Sequence, residues 1–268
     1  MNRVASYQNL PLNILSWNIS NAHPSFSAPD KLQRSQDAPR LIREECLRYT
    51  PDIIALQECP YPSFGSDEFT NYMSVGTRQS HCGFVDLLIR NELQNVQPIT
   101  LPKHLPSVAT TIALPNETKI TVSSSHLAPF KEGADQRLMQ CMTLLDCMYT
   151  ESPNCILLGD MNMRVAEDVN IENAGLIDAW KSAGANSDSK FSWNTFTNKY
   201  HEGCYQYRAR YDRCFIRGDV FSVREFGLIG NHPVENRSGD YLSDHFGLSI
   251  RLDVTKELHS SAQTQNKS

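Results

Sequence analysis

Apolar runs in this chain repeatedly end in an acid, an amide or an imidazole, and this positional habit constrains the fold more than any bulk property. LNILSW, Leu12 to Trp17, is followed by Asn18. DIIALQ, Asp52 to Gln57, is followed by Glu58, and ITVSSS is followed by His126. CILLG is followed by Asp160, and then by Asn162. A strand beginning at Tyr211 carries Asp212, and Asp244–His245 opens a final apolar run. Short apolar runs bounded by turn residues read as buried strands. Strands that end together at one edge of a sandwich gather their terminal side chains around one pocket. Taken singly, each residue has a structural explanation: Asn18 as a turn residue, GDMN as a turn, SDH as a helix-capping loop, His126 as a core histidine. Their joint occurrence in this order points to a site.

The remaining runs complete the expected fold. Gly83 to Arg90 is a further strand. Val108 to Leu114 and Lys119 to Ser125 flank Pro115–Asn116 and read as a hairpin. Phe215–Ile216, Phe221 to Ile229 and Phe246 to Leu252 are three more strands. Pro39 to Tyr49 reads as a helix, and Gly133 to Tyr149 carries a helical stripe of Leu138, Met142, Leu145 and Met148. Many strands with interspersed helices predict an α+β sandwich: two packed mixed sheets flanked by helices. No Pro/Gly-rich linker divides the chain. A single domain over 1–256 with a polar tail over 257–268 is expected, a size that can bury a core without disulfides.

Composition narrows the setting. The 268 residues carry 25 Lys+Arg and 30 Asp+Glu, a formal charge of −5, which argues against a protein that coats nucleic acid by charge alone. No apolar run approaches the roughly 20 residues of a membrane span, and Met1 to Gln8 lacks signal-peptide character. The eight cysteines form no C-x-x-C pair, and Cys141 and Cys155 lie on apolar patterns. An intracellular protein, nuclear or cytoplasmic, is expected. No membrane contact is expected, and a monomer is.

Three or four carboxylates, two amides and two imidazoles suit one hard cation and a phosphate. Mg²⁺ takes oxygen ligands and keeps several waters, so one or two carboxylates suffice, with Mn²⁺ as a substitute. The absence of Cys from the set argues against zinc. A His held by an Asp is fixed in one tautomer and serves as a base or as a transition-state donor. The chemistry implied is metal-assisted phosphodiester hydrolysis.

The motif order resembles the endonuclease/exonuclease/phosphatase superfamily, the DNase I-like fold. The residues that carry the resemblance are Ser16-Trp17-Asn18, Leu56-Gln57-Glu58, Ser125-His126-Leu127, Gly159-Asp160-Met161-Asn162, Tyr211-Asp212-Arg213 and Ser243-Asp244-His245. Within it, GDMNMR, FSWNT, YDRCF and LSDHFGL resemble the 5′-tyrosyl-DNA phosphodiesterase family. Two positions depart from that family. Ser20 stands where it carries Asp, and Asn194 follows Trp193 where it carries Asp.

The resemblance implies roles. Glu58 is the metal ligand, and Asp244 is its partner, directly or through water. Asp160 and Asn162 orient and activate the attacking water. Asp212 holds His245, which faces the phosphate. Asn18, His126 and Arg164 bind the phosphate. Either Asp160 or His245 takes the proton from water. Trp193 lines the substrate groove or seals the edge of the sandwich. The implied activity is hydrolysis of the phosphotyrosyl bond at a 5′ DNA end. The alternatives are another phosphoesterase of the superfamily, acting on RNA or a small phosphoester, or an inactive binding module, for which Ser20 is the only support.

A segment from Lys199 to Arg217 holds five cations, Lys199, Arg208, Arg210, Arg213 and Arg217, interleaved with tyrosines. Such a pattern suits single-stranded or 5′-end DNA, or RNA, through stacking and charge. The alternative is a strand and loop with solvated Arg and core Tyr.

Overall fold

The structure is a computed structural model that describes residues 9–20, 29–200, 205–235 and 240–256, with backbone alone over 29–36. The expected tail 257–268, the Met1–Gln8 segment and Cys204 lie outside the described residues. In chain order the first half runs β1 (Leu10–Asn18), α1 (Pro29–Leu47), β2 (Ile53–Cys59), α2 (Phe64–Glu68), β3 (Tyr72–Gln79), β4 (Phe84–Arg90), β5 (Val96–Pro98), β6 (Ser107–Ala113) and β7 (Lys119–His126). The second half runs α3 (Ala134–Glu151), β8 (Cys155–Asp160), α4 (Asp168–Asn173), β9 (Ile177–Asp178), α5 (Ala179–Ser182), β10 (Trp193–Asn194), β11 (Arg208–Ala209), β12 (Asp212–Arg217), β13 (Phe221–Ile229) and β14 (Gly247–Val254).

One sheet has the spatial order β13-β14-β1-β2-β4-β3 and the other β5-β6-β7-β8-β12-β9, with β10 and β11 forming a separate ribbon. Both sheets are mixed: β1–β2 and β7–β8 are parallel, and antiparallel neighbours flank them. Strand alternation divides the apolar residues between layers. Leu12 and Ile14 of β1 pack with Ile156 and Leu158 of β8 between the sheets. Leu15 and Trp17 of β1 instead face Ala38, Ile42 and Cys46 of α1. Cys155 and Leu157 of β8 face Cys141, Leu144, Leu145 and Met148 of α3. The result is a helix–sheet–sheet–helix sandwich, as the sequence predicts.

Several boundaries differ from expectation. The first helix begins at Pro29 rather than Pro39, so Pro39 lies inside it. A proline reads as a helix start because it lacks an N–H, yet a helix with enough other contacts tolerates it internally. The buried face of α3 includes Leu145 and Met148 of the expected stripe, but toward its start Arg137, Gln140, Cys141 and Leu144 are buried and Leu138 and Met142 are left partly exposed. Asp244 and His245 lie in the loop just before β14 rather than on it. β3, β5 and β9 had no periodic signal strong enough to predict them.

The inward row of each central strand turns polar toward one end. Ser16 and Asn18 follow Ile14, Gln57 follows Ala55, Ser124 and His126 follow Val122, and Asp160 follows Leu158; all these polar residues are buried. Gln57 Nε2 donates to Ser124 Oγ at 3.0 Å and reaches Ser16 Oγ at 3.4 Å. Ser124 Oγ donates back to the Leu56 carbonyl at 3.2 Å. This polar layer joins the sheets and separates the apolar core from the site above.

Candidate active site

Asp160 stands at the centre. It ends β8, paired with His126 across the parallel β7 and with Asp212 across the antiparallel β12. Gly159 permits this approach: at φ 135° it occupies backbone space that L side chains rarely adopt, and a Cβ there would lie 2.0 Å from the Ser125 carbonyl oxygen. The glycine of GDMN is thus required by packing as well as by a turn.

Three side chains and one backbone N–H converge on the Asp160 carboxylate. Asn18 Nδ2 donates to Asp160 Oδ2 at 3.0 Å and to Glu58 Oε1 at 3.1 Å. His126 Nε2 lies 3.5 Å from Asp160 Oδ2 and 3.8 Å from Glu58 Oε1. His245 Nε2 lies 3.7 Å from Asp160 Oδ2. The Asn162 N–H donates to Asp160 Oδ1 at 2.9 Å, and Asn162 Nδ2 donates to the Leu127 carbonyl at 3.2 Å. Asn162 has φ 51° and Glu58 has φ 54°. Such left-handed backbone costs a non-glycine residue of order 1–3 kcal/mol and concentrates at functional sites. Glu58 sits where the β2–β4 register shifts between Leu56 and Cys59, and this bulge re-aims its side chain.

His245 is held by Asp212: its Nδ1 lies 2.7 Å from Asp212 Oδ2. The Asp212 N–H donates to Ser192 Oγ at 3.1 Å. Trp17, whose partner sequence reasoning did not identify, donates from its buried indole Nε1 to the His245 carbonyl at 3.0 Å. Ser243, which the sequence singles out only as part of the Ser243-Asp244-His245 motif, has a structural role. Its Oγ donates to the Asn18 carbonyl at 2.7 Å and accepts from the His245 N–H at 3.1 Å, tying the end of β1 to the loop before β14. Ser20 places its N–H 2.9 Å from Asn18 Oδ1, which turns the amide nitrogen toward the two carboxylates. Backbone rather than a side chain performs this task, so Ser in place of Asp leaves it intact.

Burial sets the electrostatics. It pushes the Glu58 carboxyl up to about 7, against the Asn18 hydrogen bond, and the neighbouring Asp244 adds to the rise. It holds the His126 imidazole down at about 4, so this ring is neutral near pH 7. For His245 burial disfavours the cation, but Asp212 and Asp160 outweigh it and raise the imidazole well above its usual range. Asp212 is itself raised by burial, with His245 opposing.

Trp193 forms a wall of the site. Its ring meets the His245 ring edge-on at 4.9 Å, stacks with Tyr207 at 5.9 Å and contacts Tyr211 at 6.1 Å. The Arg164 guanidinium lies 5.1 Å over the Tyr211 ring, and its Nη1 donates to the Asn162 carbonyl. The basic segment behaves differently from a uniform cationic surface. Arg210 is buried against Asp178 at 2.7 Å, and Arg213 is buried against Asp168 and Asp178 at 3.2 Å each. Arg208 is exposed, between the Phe191 and Phe196 rings at 5.4 and 5.0 Å. The two buried arginines therefore hold α4 and β9 to β12 and are unavailable to a ligand.

The arrangement joins uncompensated carboxylates to neutral and cationic donors around one point. The donor atoms of Asp160, Asp212 and His245 all lie within 4.8 Å of one another, and Glu58 shares the Asn18 amide with Asp160. A family model described as Endonuclease/Exonuclease/phosphatase family matches residues 15–245, nearly the whole frame that carries these side chains. The chain belongs to that family.

Relatives that the chain matches are tyrosyl-DNA phosphodiesterases. It is 26% identical over 255 residues to tyrosyl-DNA phosphodiesterase 2 of Xenopus laevis, covering 90% of this chain and 66% of the relative. It is 29% identical over 257 residues to the 5′-tyrosyl-DNA phosphodiesterase of Caenorhabditis briggsae, covering 91% and 69%. The chain thus spans about two thirds of the length of these relatives. Its fold matches the crystal structure of the Danio rerio tyrosyl-DNA phosphodiesterase 2 complexed with a single-stranded DNA product. The TM-score is 0.74 and the identity 24%, over 90% of this chain and 98% of that one.

Proposed function

We propose that this chain is a divalent-metal-dependent phosphodiesterase that hydrolyses the bond between a tyrosine and the 5′ phosphate of a DNA end. The observation that carries the chemistry is the convergence of Asn18, His126 and His245 on Asp160, with Asp212 locking His245. The substrate class rests on the likeness to tyrosyl-DNA phosphodiesterases.

The donor set fits a hard cation. Glu58 and Asp244 lie close enough for each to oppose the other's ionisation, and the partners of Asp160 in the site are amides and imidazoles rather than Lys or Arg. We assign the metal to Glu58 with Asp244, because Asp212 and His245 already satisfy each other by hydrogen bonding. Bound there, Mg²⁺ would polarise the phosphate and neutralise developing charge.

The protein groups supply the rest. Asn18 Nδ2, which bridges Asp160 and Glu58 in this structure, would offer an N–H to a phosphate oxygen once the metal takes the Glu58 carboxylate. His126 would offer one from Nε2 in the tautomer whose Nδ1 accepts from Ser80 Oγ, and Arg164 adds a charged donor at the mouth. His245, kept cationic by Asp212, stabilises the negative charge that grows on those oxygens. With His245 already protonated, Asp160 is left to take the proton of the attacking water, which Asn162 helps to orient. Loss of one well-placed donor costs about 10²–10³ in rate. An intracellular setting is part of this proposal, supported by seven free cysteines among the described residues.

The test is release of 5′-phosphate DNA from a 5′-tyrosyl oligonucleotide with Mg²⁺, with EDTA, and with Glu58→Ala. Metal-dependent release that the variant loses is expected. Cleavage of a thymidine 5′-phosphate p-nitrophenyl ester without cleavage of the tyrosyl oligonucleotide would retain the chemistry and overturn the substrate.

A further inference from the structure

The site has two unlike flanks. Along the second sheet the order is β7, β8, β12, so His126 and Asp212 lie on opposite sides of Asp160. Each imidazole that faces Asp160 is backed by another ring. Trp193 backs His245 at 4.9 Å, and His81 backs His126 at 4.1 Å.

The Trp193 flank is open and extended. Tyr207 continues it, with exposed Tyr205 in the segment before β11 and exposed Arg208 on β11. Aromatic faces interleaved with cations suit a chain that runs on past the reacting phosphate.

The His81 flank is a single hairpin tip. It is the tip of the β3–β4 hairpin, residues 80–83, which crosses from the first sheet to touch His126 on the second. The Ser80 N–H donates to the Gly83 carbonyl at 3.0 Å, Ser80 Oγ donates to the Cys82 carbonyl at 2.8 Å, and the same oxygen lies 3.2 Å from His126 Nδ1. The tip is therefore pinned, with the Cys82 thiol in the field of Glu58 and Asp244. His81 itself is exposed, and its ring nitrogens have no hydrogen-bond partner among the described residues. The pinned hairpin tip thus presents one exposed, uncommitted ring against His126, which itself faces Asp160.

A phosphodiester carries two substituents that leave the phosphorus in different directions. We propose that the Trp193 flank takes the nucleotide and that His81 forms the subsite for the leaving group, selecting an aromatic one by ring contact. This inference rests on the proposed function. His81 would be a specificity residue: it stacks on the departing phenol ring and takes no proton in the reaction. Aromatic contacts of this kind are worth about three- to tenfold in rate or affinity.

The experiment compares kcat/KM on three oligonucleotides carrying 5′-phosphotyrosyl, 5′-phospho-p-nitrophenyl and 5′-phospho-trifluoroethyl esters. The third has an acidic but non-aromatic leaving alcohol. Wild type, His81→Ala and His81→Phe are measured as the full chain with Mg²⁺. The ratio of aryl to trifluoroethyl kcat/KM is expected to fall about three- to tenfold in His81→Ala and to stay near wild type in His81→Phe. An equal loss on all three esters in His81→Ala would overturn the inference, since it would place His81 behind His126 as a support only. A His81→Phe ratio as low as that of His81→Ala would also overturn it. Wild type that cleaves neither aryl ester would overturn the proposed function itself, and the inference with it.

Discussion

Gln57 of the first sheet donates its side-chain amide to Ser124 Oγ of the second at 3.0 Å, one residue before Glu58 and two before His126. The two groups that would hold metal and phosphate thus stand on opposite sheets, at a spacing that this buried hydrogen bond helps to set. Replacing Gln57 by Leu removes that tie and leaves Ser124 with its bond to Leu56. A stability loss of about 1–2 kcal/mol is expected in urea unfolding. A tenfold or greater fall in metal-dependent turnover should accompany it at temperatures where the variant stays folded. Unchanged turnover would show that the sheet spacing does not depend on Gln57.

The Asp212–His245 pair predicts a pH profile. The folded-state imidazole lies above its ordinary value, so its charged form persists as the pH passes through about 6.5. Activity that depends on the cation should therefore hold through neutral pH. In Asp212→Asn the supporting charge is gone and burial dominates. The alkaline fall of kcat should move down to about pH 6–7 or lower, with a loss of about 10²–10⁴ at pH 7.5. A variant profile that parallels wild type would remove His245 as the charged donor.

Glu58 predicts how metal binding responds to pH. Its carboxyl lies at about 7 without metal, so a proton competes with the cation below that value. Mg²⁺ or Mn²⁺ affinity, measured calorimetrically, should rise up to about tenfold per pH unit between 5.5 and 7 and flatten above. Proton release on binding should be visible as a buffer-dependent heat. In Glu58→Gln the pH dependence and most of the affinity should vanish together.

Arg208 and Arg213 lie on consecutive strands of the chain, β11 and β12, yet they should fail differently. Arg213 is buried between Asp168 and Asp178, which keep Lys181 and Arg210 as partners in Arg213→Ala, so losing its charged hydrogen bonds should cost about 1.5–3 kcal/mol of stability. Arg208 is exposed against two phenylalanine rings, so Arg208→Ala should change the thermal midpoint little. If single strands run along the ribbon, oligonucleotide affinity in Arg208→Ala should weaken and its salt slope fall by about 0.7. Equal stability losses in the two variants would contradict the burial difference.

The sequence by itself determined the strands that end in acids and amides, and with them Asn18, Glu58, His126, Asp160, Asn162, Asp212, Asp244 and His245. These are local signals: an apolar run of period two, then a polar residue that the run has no reason to bury. It also determined the two-sheet sandwich, because so many short buried strands with few helices have few other ways to hide their faces. The tertiary structure alone decided what depends on partners far apart in the chain. Gly159 is forced by the Ser125 carbonyl that β7 places beside it. Trp17 is tied to His245 across 228 positions. Arg210 and Arg213 look like a nucleic-acid surface in composition, but they are consumed by Asp178, a residue no periodicity connects to them. The β3–β4 tip reaches His126 only because the two sheets pack face to face, and that packing is a property of the whole core rather than of any one segment.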